Sequence, residues 1–234
     1  MEDSGGLTDT ATVCVDVGGV NDCPDAIGDT ATTDEETAIN IDVLANDVDP
    51  DSNLTISAVT QPAKGVVTNQ STYVNFDPNG EFEDLGVGES TVVIFTYTAT
   101  DGECDDTANV TVTVTGVNDV PNAVDDVYSV YEDNTLNVPA PGVLNNDTDV
   151  DGDALTASLI SGPSHGTLDL HADGSFVYTP TADYCGSDSF VYAAGDGHGG
   201  IDNATVSLNI ICVNDEPSFT GGPDVTVDED SGPY

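Results

Sequence analysis

Basic residues are almost absent. Lys64 stands alone against 44 acidic residues, and the formal net charge is −43. With so little to neutralise phosphates, nucleic acid is excluded as a partner, and an anionic membrane surface is equally disfavoured. Long apolar runs are missing too: no stretch approaches the roughly 18 residues of a membrane-spanning helix, so direct membrane insertion is not expected. Residues 1–6 have neither the basic nor the apolar region of a secretory signal, and an export signal is therefore expected upstream, in a longer protein. Tryptophan is absent and aromatics make up 6% of the chain, which leaves few platforms for stacking sugars.

Apolar residues are also scarce, at 38% against roughly 45–50% in ordinary globular chains. Low hydrophobicity with high charge fits disorder, or else small domains with little interior for their surface. Patterning decides for the second. Ala-Thr-Val or Ala-Asn-Val, an alternating strand and Val-Asn-Asp occur together three times, over 11–22, 108–119 and 204–215, at a period of about 97 residues. A proline follows each time: Pro24, Pro121 and Pro217. Val43-Leu44-Ala45-Asn46-Asp47 repeats as Val143-Leu144-Asn145-Asn146-Asp147, and Phe95-Thr96-Tyr97 as Phe190-Val191-Tyr192. Two full repeats are expected at 23–118 and 119–214. Residues 1–22 read as the last strand and linker of a preceding repeat, and 215–234 as the first strand of a following one.

Within a repeat the period is two. Val110, Val112 and Val114 alternate with threonines, and Val206, Leu208 and Ile210 with Ser207 and Asn209, the pattern of half-buried antiparallel strands. Asp173-Gly174 marks a hairpin, and Asp101-Gly102 and Asp196-Gly197 separate the last two strands of each repeat. About seven short strands per repeat without helical periodicity predict an all-β chain of tandem immunoglobulin-like antiparallel sandwiches.

In the second repeat, Asp125-Asp126-x-Tyr128, Glu132-Asp133, Gly142-Val143-Leu144-x-Asn146-Asp147-x-Asp149-x-Asp151-Gly152-Asp153 and Asp173-Gly174-Ser175-Phe176-x-Tyr178-Thr179-Pro180 resemble the cadherin-like repeats of large bacterial adhesins. The first repeat departs at Asp49-Pro50-Asp51-Ser52-Asn53 and at Ala63-Lys64-Gly65. The resemblance implies exported tandem modules that bind calcium at their junctions and hold a binding head away from a cell surface.

Calcium takes six to eight oxygen ligands. Asp147, Asp149, Asp151 and Asp153 supply four carboxylates from the loop between the second and third strands of repeat 2. Asp196 and the linker residues Asn118 and Asp119 are expected at the same end. From repeat 1, Glu35 or Glu36 faces them, where cadherins place a first-strand glutamate. The matching set at the leading end of repeat 1 is Asn21, Asp22, Asp49, Asp51 and Asp101. At the far end of repeat 2 it is Glu132, Asp133, Asn214 and Asp215. The competing reading is that these are ordinary Asp-rich turns.

Five cysteines with so small a core suggest an oxidising compartment, and none has the close spacing of a zinc site. Sandwich geometry predicts Cys23–Cys104 and Cys185–Cys212, leaving Cys14 for a partner in its own repeat, for another chain, or free. His165, His171 and His198 show no nucleophile–base arrangement, and carboxylates are too abundant for any acid–base pair to carry catalytic weight. The sequence therefore predicts a non-catalytic, extracellular calcium-binding spacer. Its partners are neighbouring repeats of the same or an identical chain, with a cell-surface or matrix ligand met through other domains. A self-assembling filament subunit and a glycan-binding module of a secreted protein are the alternatives.

Overall fold

A computed structural model describes residues 5, 12–14 and 19–214. The predicted outer strands at 1–22 and 215–234 lie largely outside the described residues. The chain divides into unit 1, Met1–Asp119 with Val150–Gly152, and unit 2, Val120–Asp149 with Asp153–Tyr234.

Unit 1 has seven strands: β1 (Asp29–Asp34), β2 (Ile39–Ile41), β3 (Thr55–Val59), β4 (Val66–Asn69), β5 (Val74–Asp77), β6 (Ser90–Thr100) and β7 (Asp105–Thr115). They form a four-stranded sheet ordered β1-β7-β6-β3 and a three-stranded sheet ordered β2-β5-β4. Pairing is antiparallel except that β1 runs parallel to β7, with Asp29 opposite Val110 and Asp34 opposite Thr115. The alternation in β7 is the expected one: Val110, Val112 and Val114 are buried while Thr111, Thr113 and Thr115 are only half-buried. The core joins them to Phe76, Phe82, Phe95 and Tyr97. Each large side chain withdrawn from water contributes about 1.5–3 kcal/mol.

Unit 2 repeats this plan with β8 (Asp126–Tyr131), β9 (Leu136–Val138), β10 (Thr156–Ser161), β11 (Gly166–Leu170), β12 (Phe176–Pro180), β13 (Gly186–Gly195) and β14 (Ile201–Ile211). The sheets are β10-β13-β14-β8 and β11-β12-β9, again with the first strand, β8, parallel to the last, β14. Phe176 meets Tyr128 and Phe190 edge-on, at 5.1 and 5.4 Å between ring centres. Asp173-Gly174 closes the predicted hairpin between β11 and β12, and Gly174 adopts φ +79°. Among the described residues the only helical segment is one 3-10 turn at Gly142–Leu144.

Both predicted disulfides form, with Cα–Cα separations of 5.6 Å for Cys23–Cys104 and 5.0 Å for Cys185–Cys212. They close loops of 81 and 27 residues, and limiting the unfolded chain this way contributes roughly 3–5 kcal/mol each in the chain-entropy picture. Cys14 carries an exposed thiol.

A buried tyrosine anchors a carboxylate in each unit. Tyr97 donates to Asp47 at 2.7 Å, and Tyr192 donates to Asp147 at 2.8 Å. Asp29 and Asp126 stand beside these acids, and burial first, then the neighbouring Asp47 or Asp147 charge, pushes each up to about 6. A carboxyl raised in the folded state stabilises most below its unfolded value near 4, and that contribution is lost as pH rises through about 6. Asp126→Asn should therefore be more stable than the wild type in chelator at pH 7, by about 1 kcal/mol or less given partial exposure. The advantage should vanish by about pH 4, and melting curves across that range check it.

Candidate metal centres

Parallel pairing of β1 with β7 brings the end of β1 beside the end of β7. The Glu35 amide donates to the Thr115 carbonyl at 3.1 Å, and the Glu35 carboxylate reaches the chain just past the end of β7. It is 2% exposed. One carboxylate oxygen accepts the Val117 amide at 2.7 Å, while the other is buried without a hydrogen-bond partner. Burial raises its pKa, the Val117 amide opposes this, and Asp119, Glu83 and Asp151 add to the rise.

The surroundings are anionic throughout. Glu36, Glu83 and Asp119 each offer a carboxylate oxygen, all within 4.8 Å of one another. The Asp119 amide donates to Asp151 at 2.9 Å, and the second oxygen of Asp151 is buried without a partner. Glu83 too is raised, by burial and then by Glu36, Asp119 and Asp151. Three carboxylates so close repel one another, and a cation among them would offset that repulsion. Hard oxygen donors without sulfur or nitrogen suit calcium or magnesium, and a flexible set of several carboxylates suits calcium.

Glu83 was missed by sequence reasoning. It sits in the loop between β5 and β6, where Glu81-Phe82-Glu83-Asp84 reads as surface charge; the buried Phe82 between two glutamates was the available signal. The sequence left Glu35 and Glu36 as alternatives. Glu36 is the exposed member of the group with Glu83 and Asp119, and Glu35 is buried nearby, with Asp119, Glu83 and Asp151 as its charged neighbours.

Asp149, Asp151 and Asp153 gather their oxygens within 4.8 Å along one five-residue stretch. Asp149 accepts the Asp153 amide at 3.3 Å and keeps its other oxygen buried and unpartnered. Asp147 behaves differently: its two oxygens accept the Val124 amide and the Tyr192 hydroxyl, both at 2.8 Å. Both its oxygens are thus occupied by protein donors, and it is not among the three that gather here. Asp196 is 4% exposed and accepts the amides of His198, Gly199 and Gly200. His198 also contacts Asp153 at 2.8 Å through Nδ1, so the Asp196 turn and Asp153 meet within unit 2.

At the leading end of unit 1, the Asn21 side-chain amide donates to Asp101 at 2.7 Å, and the Asp22 amide to Asp51 at 3.4 Å. Asp101 is held below the usual carboxylate range by the Cys104 amide first and then by Asn21. Asp49 accepts the amides of Asp51 and Ser52 with one oxygen and buries the other unpartnered. At the far end of unit 2, Glu132 reproduces Glu35. It is 4% exposed, its amide donates to the Ile211 carbonyl at 3.0 Å, and its carboxylate accepts the Val213 amide. Asp133 accepts the Asp183 amide at 3.4 Å. Asn214 ends the described stretch, and Asp215 lies outside the described residues.

A structural carboxylate looks different. Burial alone would raise Asp188, yet the Ser164 amide, the Tyr178 hydroxyl and the His165 amide together bring it below its usual value. Both its oxygens have donors, whereas Glu35 keeps one without.

Residues 118–211 match the bacterial cadherin-like domain, and residues 21–115 the bacterial Ig domain. The Arabidopsis thaliana protein GAMETE EXPRESSED 2 is 34% identical over 110 residues, 46% of this chain and 11% of that protein. The chain thus spans about a ninth of the curated relative it matches. Among solved structures, repeats 1–2 of a human mucin-like protocadherin align over 81% of this chain and 98% of their own, at 17% identity and TM-score 0.50, which shows the fold. An endo-fucoidan hydrolase of glycoside hydrolase family 107 aligns over 82% of this chain and 29% of its own, at 20% identity and TM-score 0.32, too low to bear on activity.

Glu35→Gln removes the unpartnered charge while keeping the acceptor for Val117. In chelator it should raise stability by about 1 kcal/mol, and in saturating calcium it should melt below the wild type. Paired melting curves give both signs.

Proposed function

We propose that this chain, whose residues 118–211 match the bacterial cadherin-like domain and 21–115 the bacterial Ig domain, is a calcium-stiffened segment of an extracellular repeat array. Its role is to hold a binding head away from a cell surface, not to catalyse. The observation that carries the reading is Glu35, a carboxylate almost wholly buried with one oxygen unpartnered, beside the Glu36–Glu83–Asp119 cluster. A folded domain does not retain such a charge without a counter-charge unless something else compensates.

Calcium at this end would be held by Glu35, Glu36, Glu83, Asp119 and Asp151, and in unit 2 by Asp149 and Asp153 with Asp196 close by. Asn21, Asp22, Asp49, Asp51 and Asp101 form the corresponding set at the leading end, and Glu132, Asp133 and Asn214 the one at the far end. The ion supplies positive charge that removes the repulsion between linker and loops, so a linker that bends without it becomes stiff with it. Cadherin-like and Ig domains are typically non-enzymatic, and two disulfides fit an exported protein.

The exposed thiol of Cys14 favours a second reading, a filament subunit joined to another copy by a disulfide. A covalent dimer on a non-reducing gel that disappears in Cys14→Ser supports it; a monomer throughout removes it.

The test of the main reading is melting and small-angle scattering in calcium and then in excess chelator. At 100 times Kd each bound ion adds about 2.7 kcal/mol, so the melting point should rise by more than about 10 °C and the scattering should lengthen to that of a rod. Unchanged melting and unchanged scattering would remove the calcium mechanism.

A further inference from the structure

In unit 2 the connection from β10 to β11 is held against β13 by one buried side chain. Asp188, on β13, accepts the Ser164 and His165 amides, each at 2.9 Å, and the Tyr178 hydroxyl at 2.8 Å. Around it opens a depression of about 390 Å³, within the ~300–1,000 Å³ range of small-ligand pockets. Ser164, His165, Ser187, Ser189 and Ser207 line it, drawn from the connection, from β13 and from β14, where Ser207 stands opposite Ser189. All five side chains are exposed. Among the described residues no protein group engages any of the four serine hydroxyls.

One wall is aromatic. The His165 ring stacks on Tyr184, with 4.0 Å between ring centres and 5° between planes, and the Tyr184 hydroxyl donates to the Ser187 carbonyl at 2.8 Å. The ring pair is thereby tied to the strand that carries two of the serines. Unit 1 builds the same place from other chemistry. With Phe95 aligned on Phe190, Val92, Val93 and Ile94 stand where unit 2 has Ser187, Asp188 and Ser189, and Ala63-Lys64 stands for Ser164-His165. All five line a depression of about 260 Å³ there. Val93 is buried in the core of unit 1, so the sandwich forms with an apolar residue at that position. A buried carboxylate in place of valine is costly unless it is hydrogen-bonded, and the bonds that satisfy Asp188 are the ones that fix Ser164 and His165 at the rim.

We propose that this depression in unit 2 binds a neutral saccharide unit, so that unit 2 is a contact module as well as a spacer. Each serine hydroxyl both donates and accepts, the same capacity that sugar hydroxyls have, and four of them from three chain segments converge on one space. The His165–Tyr184 pair offers a π face to the C–H groups of a sugar ring. Acidic sugars are disfavoured, because the chain stands at −43 and no lysine or arginine lines the depression. Binding exchanges water for sugar at each hydroxyl, which gains little per bond, and a site of this size is expected to hold a single sugar at a Kd on the order of 1 mM.

The experiment is NMR titration of the full ¹⁵N-labelled chain with glucose, galactose, mannose and N-acetylglucosamine, and with glucuronate as the anionic control. At least one neutral sugar should shift the Ser164, His165, Ser189 and Ser207 amides saturably, and glucuronate should not. Ser187→Val/Ser189→Ile installs the side chains that unit 1 carries at these places, and the loss of two hydroxyls should weaken binding about tenfold. His165→Ala should weaken it as well; where the double variant does not fold, this variant decides. Absence of saturable shifts at these amides with all four neutral sugars overturns the proposal, as does equal binding of glucuronate or unchanged affinity in the folded variants. None of these residues is among the carboxylates assigned to calcium, so the calcium reading stands or falls separately.

Discussion

A parallel pairing of first and last strands sets the position of a charge on which the rest depends. Because β1 lies beside β7, Glu35 must emerge next to the strand end, where the Val117 amide takes one of its oxygens and the sandwich covers the other. The same pairing of β8 with β14 places Glu132 against Val213. A buried carboxylate with an unfilled oxygen is unfavourable alone, and the neighbouring Glu83, Asp119 and Asp151 make it more so. A bound cation would reverse the sign of each of these contributions.

Net charge works in the same direction on a longer scale. A chain at −43 repels itself, and sandwich cores of this size leave little stability in reserve. Apolar alternation in β7 and β14 and the buried Phe and Tyr side chains hold each unit together locally. The disulfides lie at linker and turn segments outside the strands.

Much of this was legible in the chain itself. The 97-residue period, the Val-Thr alternation and the turn residues give the sandwiches, since each reports a local rule of backbone pairing. The cysteine pairs followed once the strands were placed in order. Other features depended on contacts that no local pattern carries. Glu83 joins the cluster because the β5–β6 loop folds close, with Gly86 against Asp151 and Leu85 against Gly116. Asp147 has both oxygens occupied by Val124 and Tyr192, although its spacing matches Asp149, Asp151 and Asp153. His198 reaches Asp153 only through the fold of a glycine-rich turn.

The central claim is that the gathered carboxylates are calcium ligands and not a diffuse acidic surface. Equilibrium dialysis of the chain against radiolabelled calcium, in about 0.15 M sodium chloride with magnesium present, tests this most directly. The account predicts saturation at a whole number of ions above one per chain, little affected by sodium or magnesium. Weak, unsaturating uptake that falls away with salt would contradict it and leave the acidic loops as solvated turns.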